Sequence, residues 1–296
     1  MAKLVTNGPW LLLSNVESNL KPKLEYFRGI GLSESVLFTA IAGNSKFFSR
    51  SLNSYYKPQI DFLKQFLMTS NALDIAIKRC SWLLTVDRKY SLEPNIDLLI
   101  REGVRVDDVG VLMLYQPRTL VMKVEKMASV VKAVKGLGME PSSAKFIHGV
   151  RVMSSMNELT WHKKVENFKS LGWSQEDFLS MFVRCPHCLA LSEKKIRRAV
   201  DFYVNTASVA REVIVSQPLL LQFSVDKRLL PRHSVITVLS SKGLLKKGKP
   251  VTPFRLPEKL FVKRYILKHV ERVPHLMEIY RGSATPQKCS IENQGS

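Results

Sequence analysis

The chain has 296 residues, 45% of them hydrophobic, and its 45 Lys and Arg against 25 Asp and Glu give a formal net charge of +20 at pH 7. No apolar run approaches the ~18 residues that a membrane-spanning helix needs, which excludes a spanning segment. The positive surplus indicates a polyanionic partner, without distinguishing DNA, RNA and an anionic membrane. Four cysteines without a disulfide framework fit a reducing compartment.

A repeat of about 36 residues organises the whole sequence. Its mark, here called the anchor, is a proline or serine followed three residues later by an apolar side chain. The copies are Pro9 with Leu12, Ser45 with Phe48, Ser81 with Leu84, Pro117 with Leu120, a degenerate copy near Val150 with Met153, Pro186 with Leu189, and Pro218 with Leu221. Seven copies in register predict a stacked helical array.

Each copy predicts two helices. Between the anchor and a later glycine the apolar residues fall at helical spacing, as Ile96, Leu99 and Ile100 do, and the glycine ends this first helix. The glycines are Gly31, Gly103, Gly138, Gly172 and Gly243. A second helix then begins after a serine such as Ser33 or Ser174, with acidic residues in its first turn. The next anchor proline ends it in a short turn.

The domain organisation follows from the extent of the repeat. We expect tandem repeats over 1–249, a C-terminal helical cap over 250–282 and a disordered tail over 283–296. The first anchor comes so early that the first repeat is expected to be truncated. The few residues before it are too short for a transit peptide, so we expect that an N-terminal segment is missing.

Basic pairs recur shortly after the anchors and are the candidate nucleic-acid-binding residues. They are Arg88 and Lys89, Lys123 and Lys126, Lys163 and Lys164, Lys194 and Lys195, and Lys227 and Arg228. Equivalent positions line up along one edge of an array, so these cations would form a ladder for backbone phosphates. The alternative is a solvated polar face. It is weakened because cations near a helix start oppose the helix dipole.

Other basic residues are weaker candidates. Arginine can contact bases or enter a groove, and six are spread through the later repeats: Arg118, Arg151, Arg197, Arg198, Arg211 and Arg232. Lys246, Lys247 and Lys249 form a basic cluster after the last repeat.

The sequence offers no catalytic or metal site. Cys185-Pro-His-Cys188 has thiol-redox spacing, but no βαβ pattern surrounds it and a zinc site needs about four ligands. Because Pro186 is an anchor, we interpret Cys188 as a packing residue. Asp107 and Asp108 fall where other copies cap a helix, and the six histidines do not converge. We therefore predict that the chain is not an enzyme and takes no cofactor or metal.

The tandem anchors, the glycine about 22 residues on and the serine-led helix together resemble the mitochondrial transcription termination factor (mTERF) family. The Phe261-Val-Lys-Arg-Tyr segment and the closing Tyr280-Arg-Gly resemble its plant members in particular. The resemblance covers residues 9–282. It implies an all-α, superhelical solenoid of either hand, located in mitochondria or chloroplasts, that binds double-stranded nucleic acid.

From this resemblance and the charge we predict a monomeric organellar protein that binds double-stranded DNA and regulates or terminates transcription, without a membrane partner. Two alternatives stay open. One is an RNA-binding factor for organellar intron splicing or rRNA maturation. The other is a protein-interaction scaffold, which the basic ladder disfavours.

Overall fold

The computed structural model describes residues 13–44, 47–245 and 250–282. Over these ranges the chain is helical and contains no β-strand, which confirms the all-α prediction. The chain divides into two compact units, Met1–Asn157 and Glu158–Ser296. None of the helices described here combines the length and apolar composition needed to cross a membrane.

The first unit contains eight described α-helices, which alternate between first and second helices of successive repeats. They are α1 (Lys21–Gly29), α2 (Glu34–Ala42), α3 (Lys57–Lys64), α4 (Ser70–Arg79), α5 (Glu93–Arg101), α6 (Val106–Tyr115), α7 (Val124–Gly136) and α8 (Phe146–Ser154). Second helices pack on second helices, as α4 does on α6, and first helices on first helices, as α5 does on α7.

The second unit continues the same alternation and then ends in short helices. Its α-helices are α9 (Glu158–Ser170), α10 (Gln175–Arg184), α11 (Glu193–Asp201), α12 (Arg211–Ser216), α13 (Leu230–Ser241), α14 (Thr252–Arg255), α15 (Glu258–Phe261) and α16 (Leu276–Arg281). The predicted helix start after Ser174 is present and forms a capping box: Ser174 Oγ accepts from the Asp177 amide, and Asp177 accepts from the Ser174 amide.

The anchors form short 3₁₀ turns, as the sequence predicts. The turns are Phe47–Ser49, Ser81–Leu84, Pro117–Val121, Pro186–Ala190 and Pro218–Gln222. Serine forms the turn as well as proline does, because the turn does not depend on the anchor residue lacking a backbone amide. Pro9 and Ser45 themselves lie outside the described residues.

The degenerate copy near Val150 is the exception. Val150 and Met153 lie inside α8, and only residues 155–157 separate α8 from α9, with no 3₁₀ turn among them. The anchor expected at this place is therefore wrong: the helical stripe simply continues through it. The boundary between the two units falls at the same place, after Asn157.

The predicted glycines end the first helices in the left-handed region. Gly103 has φ of 97° and Gly31 has φ of 90°, a conformation that side chains with a Cβ rarely adopt. At Gly31 an added Cβ would also lie 2.8 Å from Ser70 Cβ. Gly138, Gly172 and Gly243 also have positive φ. These glycines therefore end the first helices because they adopt the left-handed backbone conformation.

A second proline, at the same period, shapes the first helices. Pro22, Pro58, Pro94 and Pro231 each occupy the second residue of an α segment that directly follows a π-helical turn. Those π turns are Val16–Leu20, Leu52–Tyr56, Arg88–Leu92 and Val225–Leu229. Proline lacks an amide and clashes with the carbonyl four residues back, and the wider turn accommodates both effects.

The C-terminal segment packs on the last long helix. Val235 and Leu239 of α13 share a buried cluster with Phe261, Leu276 and Ile279. The predicted boundary at residue 249 falls among residues 246–249, outside the described part of the chain, as does the predicted tail from residue 283.

Candidate nucleic-acid interface

Five of the described first helices are capped at their starts by a polar side chain six residues after the anchor, whereas α7 begins after Lys123 without a side-chain cap. Asn15, Ser51, Asp87, Ser192 and Ser224 each accept a hydrogen bond from a backbone amide of the first turn. Such a cap satisfies one of the amides that a helix start leaves free, and the rest carry the positive end of the helix dipole. These ends favour a negatively charged ligand.

Most of the predicted basic residues lie beside these helix starts. Six of the ten are exposed: Lys89, Lys123, Lys126, Lys163, Lys194 and Lys227. Lys195 is half-buried. Lys163 lies a turn deeper in its helix than the others, because α9 begins without a preceding 3₁₀ turn. The first-turn lysines gain nothing from the helix dipole there, so they are free to serve a ligand.

Arg88 and Arg228 are already bound within the protein. Arg88 pairs with Glu93 at 2.7 Å and donates to the Pro58 carbonyl at 2.9 Å. Arg228 donates to the carbonyls of Phe254 at 2.9 Å and Leu256 at 2.8 Å. Its burial lowers the pKa of its guanidinium. Their roles as phosphate ligands stay predictions, and the interface relies on the exposed lysines.

Lys164 belongs to a set of structural side chains that sequence analysis did not identify. Its Nζ donates to the Leu191 carbonyl directly after the next turn, and burial lowers the pKa of the amine. We call this set the clasp donors, since each side chain lies in a first helix, or for Tyr203 in the π turn Phe202–Thr206 that continues α11, and donates to a carbonyl in or beside the next turn or, for Arg232, the short helix α14. They are Lys23 (to Phe48), Gln59 (to Leu83), Asn95 (to Leu120 and Met122), Lys164 (to Leu191), Tyr203 (to Leu220) and Arg232 (to Pro253, Phe254 and Leu256).

The signal for the clasp donors other than Tyr203 is a polar residue inside an apolar stripe at the repeat period, whereas Tyr203 lies three residues beyond the register position, which holds buried Val200. Lys23, Gln59 and Asn95 are 36 residues apart and nearly or fully buried, at 5%, 3% and 0% exposure. The next position in register is Val131, also buried. No 3₁₀ turn follows the second helix of that copy. A donor at position 131 would therefore have no turn carbonyl to bond to. The loss of the turn and the loss of the clasp donor therefore go together.

Two clefts show that helix starts of consecutive repeats adjoin within each unit. In the second unit a cleft of about 310 Å³ brings Lys194 and Lys195 together with Ser224 and Asp226. In the first unit a cleft of about 200 Å³ brings Tyr55 together with residues 87–89. The starts of two consecutive first helices are thus neighbours in each unit, and the alignment of the five basic pairs along one edge stays a prediction.

The six arginines named as base-contact candidates have different surroundings. Arg232 is fully buried and bonded to Glu258 at 2.8 Å, so its candidacy is wrong. Arg197 pairs with Glu193 and Arg198 with Asp226 across the larger cleft, while Arg211 donates to the Leu171 carbonyl. Arg118 is exposed and Arg151 half-buried. Lys246, Lys247 and Lys249 lie outside the described residues.

Cys188 and Asp108, which lie in motifs that resemble chemical sites, have structural surroundings. Cys188 is fully buried, as the packing interpretation predicts. Asp108 is 7% exposed at its side chain and pairs with Arg105 at 2.7 Å. Within the described ranges, no group of three His, Cys, Asp or Glu side chains is placed to hold a metal ion.

Comparison with known proteins agrees with this architecture. The mTERF family model matches residues 1–253. The chain is also 18% identical over 242 residues to "Transcription termination factor MTERF8, chloroplastic" of Arabidopsis thaliana, an alignment that covers 81% of this chain and 48% of that protein. The chain thus spans about half the length of this curated relative.

Proposed function

The chain belongs to the mTERF family, whose members are nucleic-acid-binding factors and not enzymes, and we propose that it binds double-stranded DNA and regulates or terminates transcription in an organelle. The similar Arabidopsis protein is named a chloroplastic transcription termination factor. That name favours the chloroplast over the mitochondrion for this chain. The net charge of +20 supports a polyanionic partner.

The observation that carries the proposal is the row of exposed lysines at consecutive helix starts within each unit. Lys89, Lys123 and Lys126 serve the first unit, and Lys163, Lys194 and Lys227 the second. Lys123 lies directly before α7, Lys89 and Lys227 lie in the π turns that open their first helices, and Lys126 and Lys194 lie in the first turns of α7 and α11, whereas Lys163 lies further along α9. Ammonium groups and free amides together are the usual ligands of backbone phosphates.

The spacing of the repeats suits a duplex. Packed helices lie about 8–10 Å apart, and each strand of B-DNA carries one phosphate per about 3.4 Å of helix axis. Successive helix starts would therefore meet roughly every third phosphate of one strand. A regular row of cations gains most from a polyanion whose phosphates are held at fixed spacing, which a duplex provides and a flexible single strand does not.

The test is the salt dependence of binding to matched duplex DNA, duplex RNA and single strands. Six phosphate contacts should give a log–log slope of about −5 on duplex DNA. A quadruple variant, Lys89→Ala, Lys126→Ala, Lys194→Ala and Lys227→Ala, should flatten this slope by about 3 to 4 and weaken binding for every sequence alike.

A matched variant separates the row from net charge. Lys64, Lys78, Lys132 and Lys242 are also exposed but lie in later turns of their helices or directly after them, away from the starts of the first helices. Their replacement by alanine removes the same charge and should change the slope by less than half as much. Equal effects of the two variants would overturn the row. Preference for duplex RNA would favour the RNA-binding alternative, and no binding at about 50 mM salt would favour the scaffold.

A further inference from the structure

Cys185 and Cys188 are held together at the turn that opens the sixth repeat. Cys185 follows the last residue of α10, and Cys188 lies in the turn Pro186–Ala190. The Met181 carbonyl accepts from the Cys185 amide at 2.9 Å and from Cys188 Sγ at 3.9 Å. The Cys188 amide donates to the Cys185 carbonyl at 3.0 Å. One carbonyl therefore holds both residues side by side.

This geometry suits a disulfide. The first and fourth residues of a hydrogen-bonded turn have Cα atoms less than about 7 Å apart, and disulfides span Cα separations of about 4.4–6.8 Å. The Cys185 side chain is near enough to raise the pKa of the Cys188 thiol. Neither cysteine is in a disulfide in this structure.

Accessibility assigns different roles to the two sulfurs. Cys188 is fully buried, whereas Cys185 is half-buried and its Sγ accepts from Gln222 Nε2 at 3.2 Å. The nearby Cys185 side chain and burial raise the pKa of the Cys188 thiol well above its usual value. Cys185 is therefore the sulfur that an incoming reagent meets first.

We propose that Cys185 and Cys188 form a reversible dithiol–disulfide site that exchanges with a disulfide oxidant, RSSR, and that its oxidation weakens nucleic-acid binding. Cys185 attacks RSSR, giving a mixed disulfide and one RSH. Cys188 then attacks the Cys185 sulfur, and its proton leaves with the second RSH. Two protein thiols lose two electrons and two protons, and RSSR becomes two RSH.

The coupling to binding follows from what the turn supports. The carbonyl of Leu191, directly after the turn, accepts the Lys164 clasp bond, and Ser192 then caps the helix that carries Lys194. Cys185 also contacts Gln222 at the end of the next turn. Drawing the two sulfurs together shifts this turn, and with it a helix start of the proposed interface. This coupling rests on the proposed function, whereas disulfide formation does not.

The first measurement concerns the bond alone. The full chain is equilibrated with oxidised and reduced glutathione at several ratios, alkylated and digested with trypsin, which yields one peptide of residues 185–194 containing both cysteines. We expect this peptide to lose two hydrogens in a single two-electron step and to regain them on reduction. A peptide that remains fully alkylated in the most oxidising mixture would overturn the site.

The second measurement concerns affinity for duplex DNA in the oxidised and reduced states. We expect oxidation to weaken binding about fivefold or more, the lower end of ordinary coupling between two sites. Cys185→Ser, at the half-buried position, should bind equally in both states, while Cys80→Ser should keep the effect. A disulfide that forms without changing affinity refutes the coupling. Failure of the reduced protein to bind any nucleic acid would refute the proposed function instead and leave the bond to be judged by its peptide.

Discussion

The clasp donors and the exposed lysines have opposite environments, and four repeats carry both: Asn95 with Lys89, Lys164 with Lys163, Tyr203 with Lys194, and Arg232 with Lys227. In the first three copies the clasp donor lies eight residues after the cap: Lys23 after Asn15, Gln59 after Ser51 and Asn95 after Asp87. There it is buried beneath the next turn and bonded to its carbonyls. Two helical turns separate a structural residue from one that faces solvent.

A Lys or Arg that recurs at the repeat period does not for that reason bind a ligand. Lys164 and Arg228 match the basic pattern, but each donates a hydrogen bond to a backbone carbonyl further along the chain. Lys163 and Lys227, one position earlier in their respective pairs, remain exposed. A buried carbonyl without a hydrogen-bond donor costs free energy of folding. The cation within reach of such a carbonyl therefore bonds to it, and the neighbouring cation stays exposed to solvent or to a ligand.

Removing a buried clasp donor should have the largest effect on stability. Arg232 is fully buried, bonds to three carbonyls and lies over the Phe261 ring at 4.5 Å. Arg232→Met should lower the free energy of unfolding by about 3 to 5 kcal/mol, because several buried acceptors lose their donor. Urea unfolding measures this. The exposed control Lys263→Met should stay within about 0.5 kcal/mol, and similar losses in both variants would contradict the clasp.

A neutral clasp donor should show a smaller loss. Asn95 is fully buried and donates to the Leu120 and Met122 carbonyls. Asn95→Val copies the residue found at 131, and should cost about 2 kcal/mol because the turn over Asn95 is present. The reciprocal Val131→Asn buries an amide where no turn follows, so it should also destabilise the protein. A stabilising Val131→Asn in urea unfolding would show that the turn is not what selects the polar residue.

The tyrosine clasp donor predicts a dependence on alkaline pH. Burial raises the pKa of Tyr203 well above its usual value. The folded protein therefore keeps the phenol proton at a pH where the unfolded chain releases it. The stability from this group is complete below about pH 10 and falls above it by about 1.4 kcal/mol per pH unit.

Replacing the phenol should remove this loss. Tyr203→Phe gives up the bond to the Leu220 carbonyl, so it should be less stable at neutral pH but lose less stability between about pH 10 and 11. Unfolding curves across this range measure the difference. Tyr90→Phe, at an 82% exposed position, is the matched control and should follow the wild-type pH profile.

The smallest effect on stability is expected for the exposed lysines. Lys194→Ala should leave the unfolding free energy within about 0.5 kcal/mol and reduce the salt slope of duplex binding by about 0.9. Arg228→Ala should do the reverse, costing about 1 to 2 kcal/mol of stability through its lost carbonyl bonds with little change in slope. An Arg228 variant that loses slope without losing stability would place that arginine in the interface.

Much of the fold was predictable from the sequence. The glycine stops, the serine caps and the anchor turns are local features, since each depends on the backbone preferences of a few neighbouring residues. Seven loosely matching copies reinforced one another, and family membership and the absence of enzymatic activity were confirmed by the family match. The copy near Val150 failed because an apolar helical stripe resembles an anchor when no proline marks it.

What the sequence determined by itself was the period, the two helices of each repeat and the excess of positive charge beside the helix starts, because these are set by short-range chemistry. The tertiary structure decided which cations are structural. A clasp donor and its acceptor in the first three copies are 24 to 27 residues apart, and only packing of one repeat on the next brings that carbonyl within reach. It also decided the division after Asn157, where one turn and its donor are both absent.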